Sequence, residues 1–286
     1  MVTLHEAATR RQYERRIAQI QRDVLRLEGA AVRDLSRFLD TLRAQTLADL
    51  ALVPQDGGWP AHRLSVLLTE IDEARVALAQ RLSATLRDTT RQAWGIGETA
   101  QARALDVRLA PTALSLDQLF VAQSLHADLV RRVSDDFRAR AARAVLVTVA
   151  GAQTPQQAMQ QVGALLRTQP GRIGRGPIAT QAERIIRTEV MTAFSLADQL
   201  ADERLQQDVP GLRKWWDASG DSRTRPAHAA AERRYQPGGT EGPIPLDADF
   251  VVGGEKAAGP HDPRLSAKNR VNCRCVRMVW SPEWGT

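Results

Sequence analysis

From about Leu4 to Leu52, apolar residues recur at Ile17, Ile20, Val24, Leu27, Ala31, Leu35, Phe38 and Leu42. Gaps of three and four put these side chains on one narrow stripe of a single long helix. The stripe stops at Pro54-Gln55-Asp56-Gly57-Gly58-Trp59-Pro60, a concentrated turn signal. A second stripe follows at Leu64, Leu67, Ile71, Leu78, Leu82 and Leu86, ending near Gly95-Ile96-Gly97. Two long helices with matching seams and a short loop predict an antiparallel hairpin. Neither seam is wide enough to form a core alone, so the rod packs on later helices or offers its seam to another chain.

Composition agrees with a helical chain. Hydrophobic residues make up 43% of the sequence and aromatics only 5%, with Ala, Leu and Arg dominating the first two thirds. No apolar run is long enough to predict a transmembrane helix. Met1–Glu6 lacks the charged-then-apolar pattern of a secretory leader, which sets the expectation of folding in a reducing cytoplasm. The formal charge of +6 is carried by arginine, since Lys214, Lys256 and Lys268 are the only lysines. Arginine forks suit phosphate oxygens. Acidic residues are interleaved throughout, however, and no aromatic-plus-basic stripe marks specific nucleic-acid recognition. Nonspecific contact with DNA is left open.

Residues 98–114 read as a connector broken at Ala110-Pro111, after which Ser115 caps a helix running toward Val149 and stopping at Gly151. Thr154-Pro155 predicts a short helix to about Leu166, a capping hydroxyl followed by proline in the first turn. The segment Thr168–Pro177, rich in Gly, Pro and Arg, reads as a boundary or a loop that orders on binding, with Arg172 and Arg175 as candidate DNA contacts. Thr180 is expected to cap a helix carrying Ile185, Ile186, Val190 and Phe194. Beyond Pro210-Gly211 the helical period gives way to short apolar pieces between Gly and Pro turns, predicting a loop-rich region with short strands. The expected fold is mainly α with a small α+β C-terminal domain. It comprises a helical hairpin over 1–110, a helical middle with its Gly/Pro/Arg loop over 111–178, and a module over 179–286.

The last quarter carries the chemistry. Trp215-Trp216-Asp217 leads through Asp221, Arg223, Arg225 and His228 to Asn272-Cys273-Arg274-Cys275. The only two cysteines lie one residue apart. In a reducing compartment, Cys-x-Cys with an upstream histidine suggests soft-metal ligation. Alternate residues of a strand face opposite ways, so joint ligation requires a turn at Asn272–Cys275. Zinc takes four ligands. His228, Cys273 and Cys275 supply three, and His261, Asp221 or Asp262 could supply the fourth. The alternatives are that both thiols are small buried hydrophobes, or a redox pair.

Asp221 can bond its own downstream amides and fix a turn. A catalytic reading would make His228 a base oriented by Asp221, but no nucleophile or oxyanion site accompanies it. Arg187 and Glu189 are not neighbours on a helix, and Glu189 is expected to pin Arg223 or Arg225. One of Trp215 and Trp216 should face the core.

Taken in order, the W…D…R-x-R-x-x-H…D-P…N-C-R-C pattern resembles the C-terminal domain of the phage Mu F-like head morphogenesis (minor capsid) family, over about residues 180–277. Arg187, Thr188 and Glu189 match its helix. Trp216, Asp221, Arg223, Arg225 and His228 match its central block, and Asp262-Pro263 and Asn272–Cys275 its closing block. The aliphatic-glycine step expected after the histidine is replaced by Ala229–Tyr235, and His261 is an extra histidine.

The resemblance implies a non-catalytic minor head protein of a tailed phage. Its partners would be the portal and possibly capsid or scaffold, and its location the host cytoplasm during assembly and then the virion, in the capsid interior or at the portal vertex. The competing expectations are a metal-dependent enzyme (a nuclease or delivered effector) and a nonspecific DNA-binding virion protein. The short tail after Cys275 speaks against an appended effector.

Overall fold

The computed structural model describes residues 9–52, 58–107, 116–169 and 175–284, apart from the side chains of 116–125 and 203. It is mainly helical with a small strand-containing C-terminal region. The long helices are α1 (Arg10–Leu52), α2 (Leu64–Leu105), α3 (Leu116–Val149) and α5 (Pro177–Leu200), with the short α4 (Pro155–Leu165) between α3 and α5. Then come α6 (Asp202–Asp208), β1 (Arg213–Asp217), α7 (Pro226–Tyr235), β2 (Ile244–Pro245), β3 (Phe250–Val252), β4 (Glu255–Ala257), α8 (Ala267–Arg270) and β5 (Val276–Trp280). Among the described residues no helix is long and apolar enough to cross a membrane.

The chain divides into two compact units. One contains the described residues of Met1–Glu28, Asp88–Phe120 and Arg187–Thr286; the other those of Gly29–Arg87 and Val121–Ile186. The units therefore draw on several of the sequence segments at once.

The second unit is all helix. Parts of both predicted stripes are buried in it, at Leu35, Leu39, Leu42, Leu67, Ile71, Leu78, Leu82 and Leu86, and so are Val130, Val133, Phe137 and Val145 of α3. The Arg81 guanidinium lies 6.0 Å over the Phe38 ring, joining the middle of α2 to α1. Thr154 and Gln157 form a reciprocal capping box at the start of α4. Arg43 of α1 donates to the Gly163 carbonyl of α4 at 3.0 Å. The Thr168 hydroxyl donates to Asp40 at 2.6 Å.

Three sequence expectations are corrected. The second helix does not end at Gly95–Gly97 but continues to Leu105. In the first unit a Cβ at position 97 would collide with the Phe194 carbonyl of α5, so the glycine there permits close helix approach instead of ending a helix. α5 starts at Pro177, and Thr180 sits inside its first turn with its hydroxyl donating to the Gly176 carbonyl. The C-terminal region also contains the ten-residue α7, which the loop-rich reading missed. Pro226 at its first position pre-sets the helical φ.

The strands form an antiparallel sheet of order β2-β1-β5 and a separate β3-β4 hairpin. Gly253 and Gly254 turn that hairpin with φ of 61° and 85°, the geometry that tight hairpin turns require. Trp216 is fully buried and Trp215 is half-buried, as the strand period demands. The same period puts Lys214 on the buried face, where its Nζ donates to the Ala258 carbonyl at 2.7 Å and lies 5.3 Å over Phe250. Arg277 on β5 is also buried, paired with Asp198 and Asp202. Tyr13 of α1 ties in the outer strand: its hydroxyl accepts the Val279 N–H at 2.8 Å and donates to Gln101 of α2 at 2.8 Å.

Candidate metal site

The core of the C-terminal region is built around Trp216. Phe250 meets it edge-on at 5.7 Å between ring centroids, the His228 ring does so at 5.4 Å, and Tyr235 packs on Phe250 at 5.0 Å. Cys273 and Cys275 belong to this same cluster, together with Ala231, Val252, Ala257 and Leu265. Both thiols are free and buried.

Three features bring the two thiols and one imidazole together. Pro226 starts α7 two residues before His228, so the ring projects from its first turn. Asn272 takes the left-handed conformation, φ 54°, which asparagine tolerates better than most residues. The chain thereby bends ahead of β5, and the sulfurs are no longer thrown to opposite faces. The Cys275 N–H then points at the Cys273 sulfur at 3.4 Å.

His228 Nδ1 lies 3.2 Å from the Cys275 sulfur and 3.5 Å from that of Cys273. The ligand atoms of the three residues are all within 4.8 Å of one another, and the group can hold a metal ion. Two soft thiolates and an imidazole suit a borderline-soft ion.

The pair titrates as a unit. The hydrogen bond between the thiols favours Cys273 as the thiolate, drawing it below the usual range, and pushes Cys275 up. A metal would take up the charge of both.

The predicted fourth ligands fall elsewhere. His261 is 1% exposed, but its Nε2 lies 3.2 Å from the Cys275 carbonyl. A carbonyl only accepts, so Nε2 carries the proton and the ring supports the ligand loop from behind. Burial pushes its pKa down to about 4, keeping it neutral. Asp221 pairs with Arg274 and accepts the Arg223 backbone N–H at 2.9 Å, fixing the turn. That backbone N–H, then Arg274, hold its carboxyl below the usual range. Asp262 accepts backbone N–H groups of Ala258 and Arg264 at 2.7 and 2.8 Å and pairs with the Arg264 guanidinium. These contacts commit both carboxylates to turns.

Of the remaining motif residues, Thr188 ties this site to α5. Asn272 N–H donates to the Thr188 hydroxyl at 3.3 Å, and Arg225 donates to the Val271 carbonyl at 2.5 Å. Arg187 pairs with the buried Glu28 of α1, and Glu189 is itself buried. Arg223 is exposed and lies 3.8 Å from Asp221. A cavity of about 10 Å³ adjoins all three candidate ligands and is lined also by Ser219, Arg223, Thr224, Arg225, Asn272 and Arg274.

Of the DNA-contact candidates, Arg172 lies outside the described residues. Arg175 donates to the Thr168 carbonyl at 2.6 Å and pairs with Glu183.

Sequence reasoning missed Lys214 and Arg277. The signal for Lys214 was the period of two from Trp216. Nothing local marked Arg277, because its partners Asp198 and Asp202 are far away in sequence. Comparison with protein-family models, curated proteins and solved structures finds no match for this chain.

Proposed function

We propose that this chain is a non-catalytic assembly protein of the tailed-phage minor-head type, in which zinc at His228, Cys273 and Cys275 staples the C-terminal region. One observation carries the reading. The three sequence blocks behind the resemblance interlock: Thr188 bonds Asn272, Arg225 bonds Val271, Arg274 pairs with Asp221, and His228 meets both thiols. A pattern spread over most of a hundred residues thus has a shared structural purpose.

Zinc fits the donor set better than harder divalent ions, which prefer oxygen. It would join α7 to the loop before β5 in a region whose strands are only two to five residues long. At the triad itself, space argues against a bound substrate. The cavity beside the triad measures about 10 Å³, whereas substrate pockets are typically about 300–1,000 Å³.

The partner in this reading is the portal of the same phage, with the long helices as the docking elements. Co-expression of the full chain with that portal protein should give a complex that co-migrates on size-exclusion chromatography. Two independently migrating proteins at micromolar concentration would count against the assignment.

A further inference from the structure

Four ligands complete a zinc site, and among the described residues three converge here. The three candidates for the fourth place are held by other partners: His261 by the Cys275 carbonyl, Asp221 by Arg274 and a backbone N–H, and Asp262 by Arg264 and two backbone N–H groups. What adjoins all three ligands instead is the small cavity lined by Arg223, Arg225 and Arg274.

The electrostatics of that cavity are one-sided. The three guanidiniums are offset by one carboxylate, Asp221, which pairs with Arg274 and lies 3.8 Å from Arg223. Two thiolates neutralise a divalent ion, so this arginine excess is left over. Each guanidinium has five N–H donors. The Val271 carbonyl engages one nitrogen of Arg225, and Asp221 one nitrogen of Arg274. Ser219 and Thr224 add hydroxyls at the same rim. The cavity volume, about 10 Å³, holds one water-sized atom beside the ligands, and the exposed Arg223 at its rim leaves the rest of a longer anion facing solvent.

We infer that this cavity is a binding site for one small inorganic anion, which completes the coordination of the metal and is held there by Arg223, Arg225 and Arg274. The inference rests on the zinc reading above. It makes the site exchangeable, unlike a staple closed by four protein ligands. It also gives Arg223, which contributes little to the core, a function at its exposed position.

The test uses the full-length protein loaded with cobalt(II), whose visible spectrum reports ligand number and type, with sodium azide as the probe. One cobalt per chain with sulfur-to-metal charge transfer is expected. Azide should then shift the d–d bands saturably, and Arg223→Ala should weaken that titration about two- to fivefold without changing cobalt stoichiometry.

Cobalt bound at one per chain with a spectrum indifferent to azide would overturn the anion site while leaving the metal reading intact. An azide response with the same midpoint in Arg223→Ala and Arg225→Lys would overturn the arginine cradle. No cobalt uptake at all would overturn the metal reading and the anion site together.

Discussion

Asp217 shows how one residue's chemistry follows from where a strand ends. It is the last residue of β1, and burial first, then the neighbouring Glu232 carboxyl and Glu14 of α1, push its pKa up to about 7. The folded state therefore holds a proton on Asp217 that the unfolded chain releases nearer pH 4. Stability from this group is fully present below about pH 4 and is lost as pH rises through about 7. Asp217→Asn removes the ionisation, so its stability relative to the parent should rise from pH 4 to 7 and then level off. Urea unfolding across that range measures it, and a pH-independent difference would contradict the assignment. The aspartate is plain in the sequence, but its pairing with Glu232 is not, because α7 itself went unread.

At the scale of elements, helices were legible where one face alone is buried. The stripes of α1 and α2 and the capping box of α4 could all be read, since each is a short-range pattern. Thr154→Ala removes the hydroxyl that accepts the Gln157 N–H at 3.2 Å, and it should cost about 1 kcal/mol in chemical denaturation. The glycines of α2 misled because a glycine that permits packing looks the same as one that ends a helix. The structure decides between them: Gly97→Ala should cost about 1–3 kcal/mol through overpacking against Phe194. Gly95→Ala, where a Cβ meets nothing within 4 Å, should be neutral or stabilising. Equal effects at the two positions, by thermal or urea unfolding, would refute that distinction. In the C-terminal region, alternation foretold that one of Trp215 and Trp216 is buried without choosing between them, while α7 hid behind an arginine-rich turn.

For the whole molecule, the sequence suggested a C-terminal module over 179–286 folded apart from the helical arm. The compact unit that holds Arg187–Thr286 also takes in residues from α1 and α2. Tyr13 bonds Val279, Glu28 pairs with Arg187, and the Gln101 side chain reaches the Arg277 carbonyl at 3.4 Å. Such long-range contacts leave no local signal, so no boundary could be drawn from composition. Residues 179–286 expressed alone should accordingly show weak amide-exchange protection in β5, and the same strand should be protected in the full chain. Equal protection would mean that the segment folds independently of α1 and α2.

The metal site sits between these cases: its residue types and the need for a turn at Asn272 were readable, and its fourth position was not. Its existence is the claim on which the proposed staple depends. Metal content of the purified full-length protein, by mass spectrometry alongside thermal unfolding, tests it most directly. We predict about one zinc per chain, lost in both Cys273→Ser and His228→Ala together with a lowered Tm. A metal-free parent protein that unfolds cooperatively, at a temperature zinc does not change, would contradict it and leave both thiols as small apolar residues of the Trp216 core.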